Sequence, residues 1–355
     1  MKIIILSIIG IMLINLSLFS QDLDFSEPKV TIGGYGELHY NNQKLGNQKT
    51  KTMLDFHRFV LFFGYNWNEK WSLKSEIELE HNYVYSGQGE LELEQAYVNY
   101  HYADYFGFQA GVILPSIGLI NENHEPPLFF GVERPDYHNR IIPTTWFGSG
   151  AAVYGEYYGF SYKVTILEGL NSDMFTASSG IRGGRQKGYK PEADALLYNV
   201  RINFLNIEGL RFGASYTYND AKGDSTNIPV SITEFHAKYE ANNIYSVFEI
   251  GNIGYKNSNI QTSFGYYFDL GYDVASLVNW DVDLIPFIRY SDTNTASSVN
   301  DNLNDNELYH FKEFMVGLSF KPISQIVFKV DYSQRIREFD KQITYLFNLG
   351  LGYMF

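Results

Sequence analysis

Ile343-Thr-Tyr-Leu-Phe-Asn-Leu-Gly-Leu-Gly-Tyr-Met-Phe355 closes the chain in alternation. Drawn as an extended strand, it puts Ile343, Tyr345, Phe347, Leu349, Leu351, Tyr353 and Phe355 on one face. Thr344, Asn348, Gly350 and Gly352 fall on the other. A period of two marks a strand whose faces meet different surroundings. The segment before it repeats the pattern with charge added: Ile326, Phe328, Val330 and Tyr332 oppose Lys329, Asp331, Ser333 and Arg335. Further back, Phe212, Ala214, Tyr216 and Tyr218 oppose Arg211, Ser215 and Thr217, and Tyr198, Val200, Ile202 and Phe204 oppose Asn199, Arg201 and Asn203. In a soluble sandwich the apolar face would pack on a second sheet. In a transmembrane barrel it would face lipid, with the polar face lining the lumen.

The connections separate these alternatives. Strands are expected near 30–41, 53–66, 71–82, 90–102, 106–114, 146–157, 160–168, 195–205, 210–219, 231–240, 244–255, 262–274, 282–291, 310–321, 326–337 and 343–355, about sixteen in all. Every second connection reads as a tight turn, such as Asn66 to Lys70, Tyr158-Gly159 or Pro322 to Gln325. Those between are mostly longer and more polar, at 42–52, 115–145, 169–194, 220–230 and 292–309. An even strand count with short turns on one rim and long loops on the other is the pattern of an all-β, antiparallel outer-membrane barrel. Closure into a barrel leaves no strand edge unpaired in lipid.

Composition agrees with this fold. Residues 1–20 carry one charge, Lys2, and then an apolar run interrupted by polar residues only at Ser7, Asn15 and Ser17. That reads as a secretory signal peptide, with residues 21–355 as the barrel. Beyond it no run approaches the roughly 18 apolar residues of a membrane-spanning helix. The 29 Tyr and 27 Phe suit strands ending at lipid–water boundaries. There is no cysteine, which excludes a disulfide scaffold, and the net charge of −13 argues against nucleic acid as a partner. The expected surroundings are outer-membrane lipid and lipopolysaccharide.

The longest connection, the third outer loop at about 115–145, contains Asn121-Glu-Asn-His-Glu-Pro-Pro127, Gly131-Val-Glu-Arg-Pro135 and Ile141-Ile-Pro-Thr-Thr-Trp146. With the opening Gly33-Gly-Tyr-Gly36 and the terminal Tyr353-Met-Phe355, these runs resemble the phosphate-selective porin O and P family and related Bacteroidota-type outer-membrane porins. The resemblance runs over nearly the whole mature chain. It implies a Gram-negative, often homotrimeric porin of sixteen strands whose third loop folds inward to narrow the lumen.

On that expectation the pore-constriction candidates are Glu122, His124, Glu125, Glu133, Arg134, Asp136, His138 and Arg140, since charged side chains at a narrow aqueous passage select ions by their field. Basic pore-lining candidates on polar strand faces are Lys74, Lys163, Arg201, Arg211, Lys238, Arg289, Lys329, Arg335 and Arg337, opposed by Glu76, Glu78, Glu80, Glu249, Glu313 and Asp331. The expected function is passive diffusion of small polar solutes or ions, with anions such as phosphate among the candidates. The alternative is an adhesin or receptor that binds through its outer loops. No nucleophile motif accompanies His124 or His138, so no enzyme is expected. Glu122-x-His124-Glu125 matches no zinc motif, and neither a metal nor an organic cofactor is implied. The basic, glycine-rich run Gly180 to Lys190 reads as a mobile external loop.

Overall fold

A computed structural model describes residues 29–300 and 306–355; the expected signal peptide and residues 301–305 lie outside the described residues. Sixteen strands follow one another: β1 (Lys29–Leu45), β2 (Lys51–Asn66), β3 (Trp71–Glu80), β4 (Leu91–Ala103), β5 (Phe106–Ile113), β6 (Gly148–Tyr157), β7 (Phe160–Leu167) and β8 (Leu197–Ile207). The second half comprises β9 (Leu210–Lys222), β10 (Asn227–Ala241), β11 (Ile244–Tyr255), β12 (Ile260–Tyr272), β13 (Asp283–Val299), β14 (His310–Ile323), β15 (Ile326–Arg337) and β16 (Ile343–Met354). Each pairs antiparallel with its neighbours in sequence, and β1 pairs with β16 to close the barrel. At that seam Gly34 and Phe355 exchange both backbone N–H···O bonds, each 2.9 Å long.

The alternation is realised as two environments. Ile32, Phe63, Ile202, Phe235, Phe314 and Phe328 stand exposed on the outside, where only lipid makes such a surface tolerable. Near the tight-turn rim, aromatic side chains of neighbouring strands pack outside as a girdle. Trp71 meets Tyr100 at 4.6 Å between ring centroids, and Phe204 meets Phe160 at 4.9 Å and Phe212 at 5.2 Å. Amphipathic rings gather where a bilayer meets water.

Toward the other rim the pattern inverts. On β10, Phe235 faces outward and Glu234 and His236 inward, but farther along Val230 and Ile232 are buried inward. Ile253 on β11 does the same while Asn252 faces out. The wall therefore continues past the hydrocarbon layer into water, where its outer face is polar and its inner face packs on loops.

This inversion corrects several expected connections. The first outer loop is confined to 46–50 instead of 42–52, the fifth to 223–226 instead of 220–230, and β13 runs on to Val299 through a segment expected to be a solvated loop. Asp292, Thr293 and Asn294 favour loops by composition, yet their backbones pair with β12 and β14, and that long-range pairing outweighs local preference. Turns on the opposite rim are tight except at 273–282, which holds a short 3-10 turn. The Gly180–Lys190 run is not a mobile external segment: Ile181 is buried, Arg185 donates to the carbonyls of Thr144 and Thr145, and Lys187 pairs with Glu90 and Glu92.

Candidate pore constriction

Loop 3, residues 114–147, turns into the barrel. Its neck is tied by Asn121, whose side-chain amide donates to the carbonyls of Pro115 and Trp146 while its oxygen accepts the Trp146 N–H at 2.9 Å. From that knot the loop reaches the wall on several sides. Leu119 N–H donates to Glu249 Oε1 on β11 at 2.6 Å, Val132 N–H to Asp331 Oδ2 on β15 at 2.7 Å, and Lys329 Nζ to the Gly131 carbonyl at 2.8 Å. Buried backbone groups that would otherwise lack partners are thus satisfied by wall side chains.

The loop's charged residues divide by position. Glu122 lies between Lys163 Nζ at 2.7 Å and Arg201 Nη2 at 2.6 Å. Burial would raise its carboxyl, but the Arg201 and Lys163 charges outweigh that and hold it at about 2. His124 is buried against Glu76 and Glu94, and Glu125 beside it keeps one buried carboxylate oxygen. His138 is wholly buried 2.5 Å from Glu249, and burial pushes its imidazole down to about 3. Glu133 meets His39 at 3.0 Å and Asn41 at 2.9 Å, Asp136 meets Arg335 at 2.9 Å, and Arg140 donates to the Tyr309 carbonyl and lies over Phe311.

Apolar packing decides where a solute can pass. Ile117, Tyr137, Ile141, Ile142 and Trp146 of loop 3 join Leu170 and Ile181 of loop 4 (168–196) in one cluster with inward residues of the β5–β13 wall. Loop 4 lies over loop 3 and reaches β13, where Thr295 Oγ1 donates to the Ala177 carbonyl. At the level of these two loops the β5–β13 side of the lumen is thereby packed. On the seam side lies an aqueous space of about 1200 Å³, continuous with open solvent, lined by Glu37, His39, His57 and Arg58 of β1–β2, by Arg289, Glu313 and Arg335, by Glu133, Arg134 and Asp136 of loop 3, and by Arg182 of loop 4.

Most charges along this passage are already paired. Arg58 holds Glu37 at 2.6 Å and Glu78 at 3.0 Å, Arg289 holds Asp269 at 2.7 Å, and Arg335 holds Glu313 and Asp136. Arg134 and Arg182 differ: among the described residues neither has a carboxylate within 4.0 Å, and Arg134 donates only to the His124 carbonyl. Two guanidinium groups therefore border the passage with no carboxylate at ion-pair distance among the described residues.

The remaining basic candidates all sit on lumenal faces but are not brought together. Lys163 and Arg201 grip Glu122; Arg211 and Lys238 line a separate cavity under Phe129 and Phe130 at the tight-turn end; Lys329 is buried with its ammonium 3.7 Å from the Phe129 ring centre; Lys74 lies inward on β3; Arg337 pairs with Asp340 at the outer rim. Sequence reasoning missed Arg58, His57 and Arg182. The first two share the lumen because of a β-bulge opposite Glu37/Leu38, which lets two consecutive residues point inward. Only the polar pair His57-Arg58 inside an alternating strand hints at it.

Known proteins add to this picture. A protein of Aquifex aeolicus (strain VF5) without an assigned function is 29% identical over 351 residues, covering 92% of this chain and 80% of its own length. Among solved structures, the anion-selective porin from Comamonas acidovorans superposes with a TM-score of 0.62 at 9% identity, over 93% of this chain and 100% of that one. Salmonella typhi OmpF does so with a TM-score of 0.62 at 13% identity, over 92% and 98%. At such identities these structures share the fold. The family described as phosphate-selective porin O and P matches residues 31–272, more than half of the chain. With its closed barrel, lipid-facing exterior and inward third loop, this chain is an outer-membrane porin and belongs to the phosphate-selective porin O and P family.

Proposed function

We propose that the chain is a passive channel for small polar solutes whose passage favours anions, phosphate among them. The observation that supports this is the unpaired state of Arg134 and Arg182 beside acids that are each engaged: Glu37 with Arg58, Glu133 with His39, and Asp136 and Glu313 with Arg335. A passing anion finds two available guanidinium groups, in walls of low dielectric that lengthen the reach of their field. No catalytic step belongs to this reading. Glu122, His124 and His138 fasten the loop, while Arg134, Glu133, Asp136 and Arg182 form the selective rim. Residues 1–20 serve as the export signal. The working form is a homotrimer, as in the trimer form of Vibrio cholerae OmpT, a neighbour of 12% identity and TM-score 0.59.

The test is single-channel recording in planar bilayers under a salt gradient. A reversal potential of the sign set by anion permeability, and block by added inorganic phosphate, support the reading. A cation-preferring potential that stays unchanged in Arg134→Ser/Arg182→Ser protein overturns it.

A further inference from the structure

Where loop 3 passes β3 and β4, three ionisable side chains from three separate elements converge away from water. They are Glu76 of β3, Glu94 of β4 and His124 of loop 3, with 2%, 0% and 2% of their surfaces exposed. His124 Nε2 lies 3.3 Å from Glu76 Oε1 and 3.4 Å from Glu94 Oε2, and the three atoms fall within 4.8 Å of one another. Yet none of these contacts has hydrogen-bond geometry: His124 Nε2, Glu76 Oε1 and both carboxylate oxygens of Glu94 are buried with no hydrogen-bond partner.

The surroundings fix each group for another purpose. His124 Nδ1 is 3.1 Å from the Asn121 carbonyl, which can only accept, so Nδ1 carries a proton and Nε2 is the ring nitrogen turned toward the two carboxylates. Gln95 Nε2 donates to Glu76 Oε2 at 2.5 Å, which orients that carboxylate and leaves Oε1 facing the cluster. Glu94 is the extra residue of a β-bulge, opposite the Glu76/Ile77 step, and the bulge turns it inward beside Gln95. An imidazole whose second nitrogen is tied to a backbone carbonyl, with a carboxylate steadied by an amide, is how metal ligands are held from behind.

We propose that Glu76, Glu94 and His124 bind one divalent transition-metal cation, with zinc as the best fit, and that the cation fastens loop 3 to the barrel wall. With the metal bound, two carboxylates and a neutral imidazole carry a charge of −2, which a divalent cation cancels. The spacing agrees, since ligands about 2.0–2.1 Å from a tetrahedral zinc stand about 3.3 Å apart. Nε2 meets neither oxygen in hydrogen-bond geometry, whereas a metal would sit between its ligands. One nitrogen among so few donors disfavours calcium, which takes six to eight oxygens. No sequence motif marks the site because each ligand comes from a different element.

The experiment uses the full-length mature barrel, refolded in detergent, stripped with chelator and titrated with zinc alone. Folding is scored by the heat-dependent shift in gel mobility. The expected result is one tightly held zinc per chain, with cobalt substitution giving the intense visible bands of a four-coordinate site. Binding should weaken by more than about 100-fold in both His124→Gln and Glu94→Gln, beyond the loss expected from an outer hydrogen bond. Two other clusters, Asp55/His57/His81 and His39/His57/Glu133, share His57 and are the competing locations. The double variant His57→Asn/His81→Asn should therefore keep the zinc. No zinc on folded wild-type protein, zinc retained by folded His124→Gln or Glu94→Gln, or zinc lost in the His57/His81 variant would each overturn the proposal.

Discussion

Replacing Glu122 by Gln keeps the shape of the side chain and removes its charge, leaving Lys163 and Arg201 facing each other across an uncharged amide. The magnitude follows from the carboxyl itself, held at about 2 against an ordinary 4.5. At about 1.4 kcal/mol per pH unit this is about 3 kcal/mol of preference for the docked loop, or some two powers of ten in a local opening equilibrium. Loop 3 has independent anchors at Val132 and Asp136, so the barrel should fold and only the stretch around 119–125 should loosen. Hydrogen exchange measured by mass spectrometry in detergent reads this directly, with loop-3 amides next to Glu122 exchanging about 100-fold faster in Glu122→Gln and the open-channel current becoming noisier. The pH dependence carries a fixed sign. A carboxylate with a depressed docked-state value contributes fully above its ordinary value and loses the contribution as pH falls through the docked one. Intrinsic-rate-corrected protection of the wild type should therefore fall toward that of the variant between about pH 5 and pH 2, while the variant stays flat. Exchange within threefold of wild type at pH 7 would refute the assignment of Glu122 as an anchor.

Arg134→Ser combined with Arg182→Ser should abolish the anion preference and weaken phosphate block at least tenfold, read from reversal potentials and blocker titration; either single variant should give an intermediate value. Lys329→Met leaves the Gly131 carbonyl without its buried donor, at a cost of about 1–3 kcal/mol, and should raise exchange at 129–133 without altering gel mobility. Gly34→Ala, beside the closing seam, drives a methyl into the Val60 carbonyl oxygen of β2, so the temperature at which the folded gel band is lost should drop, consistent with about 1–3 kcal/mol.

How much could be read in advance depended on which force acted on each residue. Lipid on one side and solutes on the other impose a period of two within the bilayer, and β11 and β15 lie where that period places them. Where the wall rises into water the constraint changes sign, so Val230 and Ile232 turn inward and the ends of β9, β10 and β13 were placed short. Loop 3 could be singled out by its length and charge, but not the division of labour within it. Nothing local distinguishes Glu122, clasped by two cations, from Glu133, which borders open space; that depends on which strands the loop meets. Bulges are harder still, since the single-residue shifts that bring His57 beside Arg58 and Glu94 beside Gln95 leave only a pair of adjacent polar residues as their mark.

Because loop 3 is spent inside the barrel and much of loop 4 packs over it, the described residues leave the cell's surroundings few stretches to grip, 189–194 of loop 4 among them. The described outward tips at 46–50, 223–226, 256–259 and 338–342 are hairpin ends of four or five residues. Proteases need a pliable stretch several residues long, and antibodies or phage tail fibres need a raised epitope; short, backbone-paired tips offer neither. Loop 2, with Tyr83, Val84 and Tyr85 exposed at 81–90, and the exposed run 189–194 of loop 4 are the described places where limited digestion of intact cells should cut and where an inserted epitope tag should be both displayed and tolerated.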